Sequence, residues 1–137
     1  VLFWCNIDRN IGNFVAVGKR ETGIAGENYA LQWLKLQGYE ILEVNWRHHR
    51  LEIDIIATIN HRLIFVEVKT RSNEGYAYPE LAVDQRKQRF MLTAASAYME
   101  KMQIDRPFRF DVIAIMMQPH LRKLIHIRDA FFPNSAL

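Results

Sequence analysis

Two carboxylates and a lysine, Asp54, Glu67 and Lys69, fall within LEIDIIATINHRLIFVEVKT, the stretch from Leu51 to Thr70. Both flanks of this stretch, LEIDIIA and LIFVEVK, are rich in β-branched and aromatic residues, and Thr-Ile-Asn-His-Arg between them carries the turn signal. Side chains alternate faces along a strand, so Glu52, Asp54 and Ile56 are expected on one face. In the second strand Leu63, Phe65, Glu67 and Lys69 share a face. Centring the turn between Asn60 and His61, both tolerant of positive φ, sets Asp54 opposite Glu67 and Glu52 opposite Lys69. Opposite Cβ atoms lie roughly 5 Å apart. Glu52 against Lys69 is compatible, whereas Asp54 against Glu67 is destabilising unless a proton or a cation comes between them. A one-residue slip would face charge with apolar side chains, which favours this register.

Such a pair suits Mg²⁺, which is commonly held by one or two carboxylates together with waters and substrate phosphates. Lys69, beside them, would stabilise charge developing on a phosphate or orient an attacking water. A bound metal would polarise the phosphate and activate the water, a design for phosphodiester hydrolysis. The competing reading is an amphipathic hairpin with solvated polar ends, since Glu-Val-Lys alone is a weak signal. What favours a site is the joint placement of Asp, Glu and Lys with an inward-facing acid on the preceding helix.

That helix is expected from Thr22 to Gln37, with Thr22 as cap and Gly38 as stop. Glu27 stands three and four residues before Ala30 and Leu31, on the apolar stripe. The helix dipole explains an acid near a helix start, but not one on the packing face. Tyr39 to Trp46 reads as a strand, followed by the basic cluster Arg47-His48-His49-Arg50. Adjacent histidines in a strand point to opposite faces, so they do not jointly chelate a metal; the two arginines suit phosphate contact.

After Lys69, TRSNEGYAYPE is a loop in which Arg71, Tyr76 and Tyr78 are candidates to line a nucleic-acid groove. Pro79 to Met102 is expected as a second helix, with Lys87 on its stripe between Val83 and Phe90. Phe108 to Met117 is almost continuously apolar and so a central strand; Lys123 to Ile127 is a short last one. The order α-β-β-β-α-β-β predicts an α/β fold, a mixed sheet with a helix on each face. Residues 1–21 are expected as a poorly ordered extension, 22–131 as the domain and 132–137 as a tail.

The chain has 137 residues, 50% of them hydrophobic, enough for one domain with a full core. No apolar run approaches a membrane span, and no signal peptide is read at the start. Cys5 is the only cysteine, which excludes an intramolecular disulfide and a Cys-based zinc motif and makes a cytoplasmic location the default expectation. A net charge of +3 permits nucleic-acid binding without demanding it.

The run Asp54, then Glu67-Val68-Lys69, resembles the signature of the PD-(D/E)XK nuclease superfamily, which includes type II restriction enzymes and archaeal Holliday junction resolvases. A closer resemblance is to the YraN-like family of bacterial endonuclease-related proteins. It rests on Gly26-Glu27, Asn45-Trp46-Arg47, Glu52 to Ala57, and Phe65 to Arg71. It continues through Pro79-Glu80, Val83, Lys87, Ala94-Ala95 and Phe110-Asp111-Val112, and covers about residues 22–131.

The resemblance implies a restriction endonuclease-like fold and a metal-dependent DNA endonuclease acting on branched or otherwise unusual DNA, with Mg²⁺ or Mn²⁺ as cofactor. It further implies Asp54 and Glu67 as metal ligands, the Val68 carbonyl as an extra ligand, Lys69 as the catalytic lysine and Glu27 as an auxiliary acid. Arg47, Arg50, Arg71 and Lys87 are the expected DNA contacts; a homodimer is compatible with the sequence, and no membrane partner is expected. Leu51 departs from the family pattern, where many members have Gly before Glu-Ile-Asp. The alternatives are a nucleic-acid-binding module that keeps the fold without turnover, and a protein-interaction domain whose charges only solvate the sheet.

Overall fold

The computed structural model describes residues 2–6, 19–71, 83–117 and 122–131. Along the chain lie β1 (Leu2–Asn6), α1 (Lys19–Leu36), β2 (Glu40–His48), β3 (Leu51–Ile59), β4 (Arg62–Arg71), α2 (Gln85–Lys101), β5 (Phe108–Met117) and β6 (Arg122–Ile127). The strands form a single sheet in the order β1-β6-β5-β4-β3-β2. Among the described strands only β4 and β5 run parallel, joined by the crossover that carries α2; the other neighbours are antiparallel. From α1 onward this is the expected mixed architecture, with apolar β5 in the sheet interior.

Among the described residues each face of the sheet carries one helix. Ala30 and Leu34 of α1 pack on Ile55, Ala57, Ile64, Val66, Ile113 and Ile115. Met91, Ala94, Ala95 and Tyr98 of α2 pack on Ile56, Leu63, Phe65, Phe110 and Val112. The period of two along β4 and β5 thus feeds two separate cores. Gly38, at φ 90°, ends α1: the Gly38 and Tyr39 amides bond back to the Lys35 and Leu34 carbonyls, each at 3.0 Å.

Several boundaries differ from the sequence reading. Residues 1–21 are not wholly an extension, because Leu2–Asn6 pairs antiparallel with β6. Leu-Phe-Trp-Cys suits a pleated surface, and β6 would otherwise present an open sheet edge. The first helix starts at Lys19 rather than Thr22, since Lys-Arg-Glu ahead of Thr22 are all good helix formers. The second helix starts at Gln85 rather than Pro79: Asp84 is extended (φ −65°, ψ 161°) and its side chain caps the Lys87 amide. Residues 79–82, Tyr76, Tyr78 and the tail 132–137 lie outside the described residues.

Candidate active site

The β3–β4 turn has Asn60 at φ 50° and His61 at φ 64°, the left-handed pair that a tight hairpin requires. The ladder runs from Ile59↔Arg62 to Ile55↔Val66, the register expected from the sequence. It then stops, and Asp54 and Glu67 are not ladder partners. Instead, Asp54 Oδ2 accepts the Val68 N–H at 2.8 Å, so the carboxylate substitutes for a missing backbone acceptor where the strands part. The expectation that Glu52, Asp54 and Ile56 share one face is corrected as well. Ile53 packs on the α2 side and Ile55 on the α1 side, although regular alternation would put both on one face. Glu52 stands opposite Arg47 of β2, not Lys69, at an ion-pair distance of 3.8 Å.

Glu67 and Lys69 follow Phe65 at period two and so belong to the α2 face of β4. Among the described residues Glu67 Oε2 is buried without a hydrogen bond, and the Lys87 ammonium lies 3.4 Å from it. From the other side comes Glu27. Gly26 allows this approach: a Cβ there would collide with the Thr70 side chain, so only glycine lets α1 lie this close to β4. The Glu27 carboxylate accepts from Asn45 Nδ2 at 3.3 Å.

The electrostatics join these groups. Burial pushes the Asp54 carboxyl up to about 7, with Glu67 as the next contributor and Glu27 adding to it; the Val68 amide and Lys87 oppose the shift. Two strands and both helices therefore act on one carboxylate. Among the described residues no group of three or more His, Cys, Asp or Glu converges as a ready-made metal cage. A hard cation such as Mg²⁺ needs only one or two carboxylates, with waters and phosphate completing its shell. Asp54, pushed up by burial and by the neighbouring carboxylates, and Glu67, whose Oε2 faces Lys87 but accepts no hydrogen bond among the described residues, fit that requirement. Val68 contributes its N–H to Asp54 and its side chain to the α1-side core.

The expected phosphate contacts divide. Arg47, Arg50 and Arg71 are exposed at the end of the sheet where β3 begins and β4 ends. Arg71 Nη1 donates to the Thr70 carbonyl at 2.9 Å. Lys87 is turned onto Glu67 instead. Beside Arg47, Trp46 stacks on His48 (6.0 Å, 3°) and meets Tyr98 edge-on at 5.3 Å, so His48 packs as an aromatic.

Comparison with known proteins identifies residues 26–115 with the model of uncharacterised protein family UPF0102. The chain belongs to that family. A UPF0102 protein of Bacteroides thetaiotaomicron is 46% identical over 113 residues, 82% of this chain and 93% of its own length. One from Christiangramia forsetii is 41% identical over 112 residues, covering 82% of this chain and 94% of its own. The YraN-like resemblance thereby stands. The matched segment opens at Gly26, the close-approach glycine, and contains Asn45, Asp54, Glu67, Lys69 and Lys87.

A second polar cluster, which the sequence reading did not single out, lies under α1. Asp111 and His126 are fully buried. Arg109 Nε donates to Asp111 Oδ1 at 2.9 Å, the Asp129 amide donates to the same oxygen at 3.0 Å, and His126 Nε2 lies 2.8 Å from Oδ2. Trp33 Nε1 donates to His126 Nδ1 at 3.1 Å, so the ring is the neutral tautomer with its proton on Nε2, donated to Asp111. Arg109 also donates to the Tyr39 hydroxyl at 2.7 Å. The available signal was an aspartate inside an apolar central strand, which requires a partner. Among the described residues no helix is long and apolar enough to cross a membrane.

Proposed function

We propose that this chain is a metal-dependent DNA endonuclease of the PD-(D/E)XK superfamily. The observation that carries the reading is the pair Asp54 and Glu67, two carboxylates so placed that burial and mutual repulsion push Asp54 up to about 7. Groups this perturbed by burial and a specific neighbour cluster at functional sites. Asp54 and Glu67 would hold Mg²⁺ or Mn²⁺ through oxygen, the ligand type those ions prefer. When bound, the ion supplies polarisation of the scissile phosphate and acidifies the attacking water. Lys69, following Glu67 on the same face of β4, orients that water or stabilises the charge growing on the phosphate. Glu27 adds a third negative charge beside Asp54. Arg47, Arg50 and Arg71, exposed at the same end of the sheet, bind the flanking phosphates of DNA.

The test is cleavage of linear, flapped and four-way DNA in Mg²⁺ or Mn²⁺, beside Asp54→Ala and Lys69→Ala. The expected outcome is cleavage by wild type, loss of both metal binding and cleavage in Asp54→Ala, and retained metal binding without turnover in Lys69→Ala. Binding of DNA with no cleavage in either metal would replace the enzyme reading with that of a binding module.

A further inference from the structure

The break in the sheet at Asp54 has its counterpart directly across on β2. The β2–β3 ladder keeps one register on both sides of the break, with Val44↔Ile55 before it and Trp46↔Ile53 after it, which sets Asn45 opposite Asp54. Asn45 has φ 51°, in the left-handed region that a residue within a strand ordinarily avoids and that asparagine tolerates better than other side-chain-bearing residues. Here the facing of the strands changes: Ile55 belongs to the α1-side core and Ile53 to the α2-side core. Asp54, between them, packs in neither core and reaches over to the Val68 amide.

The side chain of Asn45 has a second role. Its amide donates to Glu27 Oε2 at 3.3 Å, bridging the edge strand to α1. One residue thus adopts the backbone conformation at the break that frees Asp54 and touches the acid contributed by the helix. A strand residue with neither role would be β-branched or aromatic at negative φ.

We propose that Asn45 is a positioning residue of the acidic site, its left-handed backbone turning Asp54 out of the sheet and its amide holding Glu27 towards the same cation. This rests on the metal-site reading above. Asn45 does not touch the cation; it acts through Asp54 and Glu27, as residues that orient metal ligands do.

The test is calorimetric titration of the full chain with Mn²⁺ alone, so that turnover is not involved. Asn45→Gly keeps the backbone free to adopt positive φ and deletes the amide. Asn45→Val keeps a side chain but disfavours positive φ. The expected result is a roughly tenfold loss of Mn²⁺ affinity in Asn45→Gly, within the range seen when an orienting partner is removed. The same loss is expected in Glu27→Gln, with no further loss in the double variant, because the amide works only through that carboxylate. In Asn45→Val the Val68 amide should exchange faster with solvent than in wild type, a readout that needs no metal.

Wild-type Mn²⁺ affinity retained by Asn45→Gly, or additive losses in the double variant, would overturn the positioning role while leaving the metal site intact. An unchanged Val68 exchange rate in folded Asn45→Val would overturn the backbone role. Absence of Mn²⁺ binding by wild type would overturn the metal reading and this proposal together.

Discussion

Asp54 and Asp111 are both strand aspartates withdrawn from water, and their surroundings have opposite signs. Asp111 is held by three hydrogen-bond donors: the Arg109 guanidinium, the His126 ring and the Asp129 amide. Burial alone would raise its pKa, yet these bonds and the Arg109 charge keep the carboxyl below its usual range. For Asp54 burial is the largest cause and two carboxylates add to it, while one amide donor and a lysine shared with Glu67 do not offset them, and its pKa rises to about 7. The first cluster is satisfied by the fold and ties β5 and β6 to α1 and to Tyr39. The second is left short of positive charge, the imbalance on which the proposed metal site rests. Burial of a charge therefore identifies a site only when its partners are counted.

The largest effect should come from breaking the satisfied cluster. Asp111→Ala leaves a half-buried guanidinium and a buried imidazole N–H without their acceptor, at a cost of about 3–5 kcal/mol. Urea unfolding at pH 7 measures this. A loss under about 1 kcal/mol would mean that the cluster is not the structural half of the comparison.

Titration sharpens the contrast. The folded pKa of Asp54 lies above its unfolded value, so between about 4 and about 7 the folded state binds the extra proton and stability falls as pH rises. Above that window the ionised carboxylate costs the apo protein on the order of 4 kcal/mol, at about 1.4 kcal/mol per pH unit. Asp54→Asn, which retains an acceptor for Val68, should be more stable than wild type by that order at pH 8 in a chelator, with the gain disappearing by pH 4. For Asp111 the sign reverses: its depressed pKa contributes stability above the unfolded value of 3.8, lost as pH falls through the folded one. Unfolding midpoints from pH 3 to pH 8 read both slopes; a destabilised Asp54→Asn at pH 8 would remove the charge deficit.

The smallest stability effect is expected at the rim. The Arg47–Glu52 pair is 3.8 Å apart, with side chains 74% and 38% exposed, so Arg47→Ala should change stability by less than about 0.5 kcal/mol. Arg47→Ala combined with Arg71→Ala should nonetheless flatten the log-log salt dependence of DNA binding by about one unit for each phosphate left without its arginine. An unchanged slope would take these arginines out of the DNA interface.

The hairpin, its register and its left-handed turn were legible in LEIDIIATINHRLIFVEVKT because period-two alternation and φ preference are local properties. So were the stop at Gly38 and the interior position of apolar β5, which depend on a few neighbouring residues. The same local rule failed at Asp54. Alternation presumes an unbroken ladder, and at Asp54 the facing changes where Asn45, at positive φ on the neighbouring strand, comes to stand across from it once β2 lies beside β3.

Other features also needed the assembled fold. The partners of Asp111 include His126, 15 residues away, and Trp33 meets His126 across 93 residues. Lys87, read as a DNA contact from its helix position, turns onto Glu67 because the parallel crossover sets the start of α2 over that face of β4. Sequence alone determined which residues carry charge and which helix or strand each rides on. Only tertiary packing decided which of those charges are matched and which are not, because electrostatic balance in a buried site depends on distance in space and not along the chain.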